Sequence, residues 1–121
     1  MDIERVDSVG IPSTDWERSR RFYVDTLGLR PDEHAKAEFW VGDTCFAIWM
    51  PEQWGEKFAP QANAIVLLRV PDVEAARAEL EAKGVEFVGE TVDTSVCHMA
   101  TFRDPDGNSL VLHKRYKPYG S

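Results

Sequence analysis

A chain of 121 residues, 43% hydrophobic and 29% charged, has the size and composition of one ordinary globular domain. Its formal net charge of -7 repels phosphate backbones, and no cluster of Lys or Arg is long enough to offset that locally; Ser19-Arg20-Arg21 gives way at once to apolar and acidic residues, so nucleic acid is not an expected partner. No apolar run approaches the roughly 20 residues of a membrane span, which argues against a membrane role. The opening MDIERVDSVG has no basic stretch leading into an apolar one, so a cytoplasmic location with Cys45 and Cys97 as reduced thiols is expected.

In chain order, VDSVGIP at 6–12 alternates as a half-buried strand does. Thr14 and Glu17 have the spacing of a capping box, Phe22, Tyr23 and Leu27 form an apolar stripe, and Gly28 suits a left-handed stop, so a helix is predicted over 14–27. Two strands follow, AEFWV at 37–41 and TCFAIWM at 44–50, around a Gly42-Asp43 turn. The Pro- and Gly-punctuated segment 51–62 lacks periodicity and reads as a connection. A second strand–helix pair then appears, AIVLLRV at 64–70 and VEAARAELEAK at 73–83, opened by Pro71-Asp72 and stopped by Gly84. Strands VEFVGE, CHMATF and SLVLHKR complete the chain, the last two joined by the turn Asp104-Pro105-Asp106-Gly107-Asn108, and the tail KPYGS is expected to fray.

The two halves share one grammar. With Asp15 laid on Asp72, Val9 falls on Val66 and Ile11 on Leu68, while Gly28 and Gly84 differ by one residue. This is the mark of internal duplication, and it predicts an α+β fold of two tandem βαβββ modules: module 1 over about 5–50, a linker over about 51–62 and module 2 over about 63–115.

The segment DWERSRRFYVDTLGL at 15–29 resembles the helix signature of the vicinal oxygen chelate superfamily, which includes glyoxalases, bleomycin-resistance proteins and dioxygenases. FRDPDGN at 102–108 resembles its second hallmark. The resemblance implies a curled mixed sheet with a concave cavity for a small molecule, and commonly a homodimer. It does not fix an activity, because the superfamily holds metal-dependent enzymes and metal-free binding proteins alike.

In metal-dependent relatives the ligands are His, Glu or Gln on the first and last strands of each module. Carried over onto this sequence, those positions are Ser8, Ile65, Val111 and a residue near Ile48 or Trp49, none with suitable donor chemistry. No metal or other cofactor is therefore expected. The alternative is a divalent ion at an atypical site around His98 and His113, on the last two strands.

Six residues are candidate ligand contacts: Ser8, Trp49, Trp54, Arg69, His98 and His113. Ser8 offers a hydroxyl at a vacated ligand position. Trp49 and Trp54, two of four tryptophans, are open to either an aromatic slot or a packing role, whereas Trp16 and Trp40 are expected to fill core or interface. Arg69 shares strand parity with Ile65, suited to an acidic ligand or to a rim salt bridge. His98 and His113 offer a general base or hydrogen-bond donors, or serve as ordinary strand residues; His113 shares the face of Val111, and parity leaves His98 open. No nucleophilic triad, activated thiol or glycine-rich phosphate cradle is present. The leading expectation is a metal-independent protein that binds and sequesters a planar or cationic compound. The alternatives are a glyoxalase-like lyase or dioxygenase-like enzyme with an atypical metal site, and a pathway-associated interaction module.

Overall fold

A computed structural model describes residues 1–120. The chain divides into two compact units, one of Met1–Pro60 and one beginning at Gln61.

In the first unit, β1 (Ser8–Pro12) leads into α1 (Trp16–Arg21), and three strands follow: β2 (Arg30–Pro31), β3 (Glu38–Val41) and β4 (Thr44–Trp49). They form an open sheet in the order β1-β4-β3-β2, parallel between β1 and β4 and antiparallel elsewhere. The helix differs from its predicted form at both ends. Its N-cap is Asp15 rather than Thr14: the carboxylate accepts the Arg18 amide at 3.2 Å, while the Thr14 hydroxyl accepts from the Arg18 guanidinium. A carboxylate at the cap also complements the helix dipole. After Arg21 the α-helix widens into a π-helical turn over Phe22–Thr26, marked by the Leu27 amide donating to Phe22 O at 2.9 Å. The turn sets Tyr23, which is completely buried, against Phe39 at 6.0 Å in a stacked arrangement and Phe46 at 6.4 Å edge-on. With Ile11 and Ile48 these rings make the core of the unit, each contributing about 1.5–3 kcal/mol of burial.

The second unit repeats the order. β5 (Val66–Arg69) precedes α2 (Val73–Ala82), followed by β6 (Phe87–Asp93), β7 (Cys97–Arg103) and β8 (Ser109–Arg115), with sheet order β5-β8-β7-β6. Asp72 caps α2 through the Ala75 amide at 3.0 Å. Val73 and Leu80 of the helix are buried, as are Ala100, Phe102, Leu110 and Leu112 of the sheet. Arg77 extends from α2 over the Phe87 ring, 4.7 Å from its centroid, and donates to Gly89 O and the Thr91 hydroxyl.

The Asp104–Asn108 turn is a buried hydrogen-bond knot. The Asp104 carboxylate accepts from the Asp106 and Asn108 amides and from the Asn108 side-chain amide, all within 2.8–2.9 Å. Asn108 Oδ1 in turn accepts the Gln61 amide, and Ser109 Oγ donates to Ala62 O. Gly107, at φ 91°, supplies the left-handed step. The motif thus fastens the entry of β5 to the start of β8, so its role here is structural.

The tail departs from expectation. Instead of fraying, residues 116–119 are tied back: the Tyr116 and Lys117 amides donate to Val96 O, and the Arg115 guanidinium donates to Lys117 O at 2.9 Å and Pro118 O at 3.2 Å. That guanidinium also lies 4.1 Å from the Tyr119 ring centroid. The Tyr116 hydroxyl donates to Asp93 at 2.7 Å. Ser121, the last residue of the segment expected to fray, lies outside the described residues. No helix among the described residues is long and apolar enough to cross a membrane.

Candidate ligand-binding site

Strand register assigns each candidate to a sheet face. In the first unit Ser8 pairs with Cys45, Gly10 with Ala47 and Pro12 with Trp49, so these six residues share the face opposite Ile11, Phe46 and Ile48. Trp49 is half-buried and lies over Gly10, where an added Cβ would sit 3.5 Å from the indole. Glu38 and Trp40 belong to the same face through Ala47 and Cys45. The Trp40 indole donates to Asp32 at 3.0 Å and lies beneath the Arg30 guanidinium. Trp54 stands on a short 3-10 turn, Pro51–Trp54, and is 76% exposed. Among the described residues Trp49 and Trp54 make no ring contact with each other.

In the second unit Leu67 pairs with Val111 and Arg69 with His113, and β8 sets Thr101 opposite Val111 and Met99 opposite His113. Arg69 and His113 therefore stand side by side on the face opposite α2. His98 does not join them. It pairs in register with Lys114, one residue out of phase, on the face that carries Ala100 and Phe102. There its Nε2 lies 3.5 Å from Asp93, and its ring lies 5.1 Å from that of Tyr116. The Asp93 carboxyl is held below its ordinary range, first by the Tyr116 hydroxyl and then by the Ser95 amide.

The same register tests the residues against the metal implied by the resemblance. In the second unit Ile65 and Val111 lie diagonally across β5 and β8; the matching diagonal from Ser8 in the first unit ends on Ala47, not on Ile48 or Trp49. Ile48 faces the helix and is buried. A hydroxyl, a methyl and two aliphatic side chains make no donor set for a divalent ion. His98 and His113, the residues of the atypical site, occupy opposite faces of one sheet. Among the described residues no three His, Cys, Asp or Glu side chains gather in a ligating group. Cys45, whose thiol lies 3.5 Å from Glu38, is pushed up from its ordinary pKa by burial and then by that carboxylate, so it stays protonated at neutral pH. Both cysteines are buried and unpaired with each other.

A pocket of about 490 Å³ opens in the second unit between β5, β8 and the tied-back tail. Leu67, Pro118, Tyr116 and Tyr119 give it apolar and aromatic walls, and Arg69 and His113 stand on its floor. The sequence reading missed the tail's part in it, since Lys117–Gly120 carries no periodic pattern; the one available signal was the spacing of Arg115 and Tyr119, a cation and a ring four residues apart.

A family model described as the Glyoxalase/Bleomycin resistance protein/Dioxygenase superfamily matches residues 5–112. YaeR of Escherichia coli K12, an uncharacterised protein, is 28% identical over 128 residues, covering 95% of this chain and 99% of YaeR. TnmS3, an antibiotic-binding protein from Streptomyces sp. CB03234, is 29% identical with a TM-score of 0.70, covering 95% of this chain and 98% of its own. A glyoxalase/bleomycin resistance protein/dioxygenase from Nocardioides superposes with a TM-score of 0.77 at 16% identity, over 99% of this chain and 92% of that one. With its duplicated βαβββ order, its two hallmark segments and a family match along nearly its whole length, the chain belongs to the glyoxalase/bleomycin resistance protein/dioxygenase superfamily.

Proposed function

We propose that this protein binds a small planar molecule without a metal ion and holds it rather than transforming it. The observation that carries this reading is the donor-less set Ser8, Ala47, Ile65 and Val111 at the positions where metal-dependent relatives keep their ligands. The pocket in the second unit supports it, as does the similarity to TnmS3, which binds an antibiotic. The planar part of the expected ligand suits the tyrosine walls; the cationic part does not suit a lining without a single carboxylate. The metal-enzyme alternative built on His98 and His113 finds no support in two residues on opposite faces.

The test is a ligand screen by tryptophan fluorescence and NMR on chelator-treated protein, repeated with added zinc, nickel, manganese and iron. Compounds bound equally well in both conditions are the expected result. A tightly held ion at one per chain, or binding that appears only when an ion is supplied, overturns it. We also propose, by analogy with the superfamily, that the chain pairs with a second copy, to be checked by its mass in solution; the exposed apolar side chains of Ile65, Val88 and Val92 support this.

A further inference from the structure

Resting on the binding reading above, we propose that the pocket of the second unit takes a planar aromatic compound bearing an oxyanion, with Arg69 as the anchor for the charge. Five of the nine residues lining it are Lys, Arg or His, and none is Asp or Glu, in a chain with 21 acidic residues against 14 Lys and Arg. The concentration of positive charge is thus local and runs against the balance of the molecule.

The basic side chains are not equivalent. Arg115 is committed to the tail through two carbonyl oxygens and the Tyr119 ring. Lys114 borders the pocket at its edge, since its strand position belongs to the face of His98 rather than to that of Arg69. Arg69, in contrast, makes no ion pair or side-chain hydrogen bond among the described residues, so the rim salt bridge that would otherwise account for it is absent. Its neighbour His113 is also without a side-chain partner there, and the two are register partners on parallel strands. A guanidinium presents a planar fork that fits a carboxylate, sulfonate or phosphate through two parallel bonds, and the imidazole beside it adds a third donor. One row earlier on the same face stands Leu67, 43% exposed, beside the buried Val111. A flat apolar body laid along this row toward Pro118 and the tyrosines leaves its anionic end at Arg69.

The test titrates the full-length, isotope-labelled chain with 2-naphthoate and with its cationic counterpart 2-naphthylmethylammonium, following amide resonances. The expected result is movement at residues 67–69 and 113–119 with the carboxylate, bound about tenfold more tightly than the ammonium. Arg69→Gln, an exposed substitution that leaves the fold intact, lowers naphthoate affinity about tenfold, and Arg69→Lys restores only part of it because a point charge lacks the fork. Equal or tighter binding of the ammonium at the same residues overturns the oxyanion assignment while leaving the pocket as the binding site. Naphthoate shifts that fall elsewhere, or are untouched by Arg69→Gln, overturn Arg69 as anchor. No shift with either compound at millimolar concentration overturns the proposal as well, and the wider screen then decides the binding reading separately.

Discussion

Asp32 and Asp104 show how single carboxylates are put to use. Asp32 accepts the Ala35 and His34 amides and the Trp40 indole, and these bonds, the Ala35 amide first, lower its pKa to about 2. Since the folded value lies below the unfolded one of about 3.9, its contribution to stability is complete above about pH 4 and is lost as pH falls through about 2. Asp32→Asn should flatten the thermal midpoint across that window, and in the wild type the Trp40 indole N–H resonance should titrate with a midpoint near about 2. Asp104 is 5% exposed and receives three donors, so Asp104→Ala removes three hydrogen bonds to a buried carboxylate. We expect a loss of about 3 kcal/mol, read from a urea midpoint, with ligand affinity unchanged in the fraction that stays folded.

At the scale of elements, seven strands and both helices were legible because their periodicity is strong and their punctuation clear. β2 was not, since two residues including Pro31 carry no pattern and take their strand character from pairing with Phe39 and Trp40. The π-helical turn was also hidden, as its apolar stripe reads like that of an ordinary helix. Parity told which residues share a face but not which stand beside each other, and so the adjacency of Arg69 and His113 had to wait for the register. His98 was ambiguous for a related reason: next to Cys97 on one strand, either parity is compatible with the sequence. The β1–β4 pair offers a sharp check. A Cβ at Gly10 makes ordinary contact with the Trp49 indole, so Gly10→Ala should be tolerated, whereas the branched side chain of Gly10→Val must displace the ring. A shift of the Trp49 emission in the valine variant and none in the alanine variant is the expected outcome.

For the molecule as a whole, duplication explains why two hallmark segments appear in different roles. The first caps a helix through Asp15 and buries Tyr23; the second knots the entry of a strand through Asp104 and Asn108. Both maintain the scaffold, and neither contributes to the lining of the pocket, which is why membership of the superfamily was readable while the ligand was not. The pocket is lined instead by residues outside both hallmark segments, among them Arg69, His113 and the tail.

The clasp of Arg115 on that tail makes the C-terminal segment a reporter for trypsin. The enzyme has two productive bonds there, after Lys114 and after Arg115, since the bond after Lys117 precedes Pro118; both lie at the end of β8, and cutting after Arg115 also requires the guanidinium to leave the carbonyls of Lys117 and Pro118 and the face of Tyr119. Cleavage therefore waits on local opening of the segment. A compound seated between β5 and the tail pins the segment further and slows the cut, so the time course of a small mass loss should reveal occupancy of the pocket without a label on either partner.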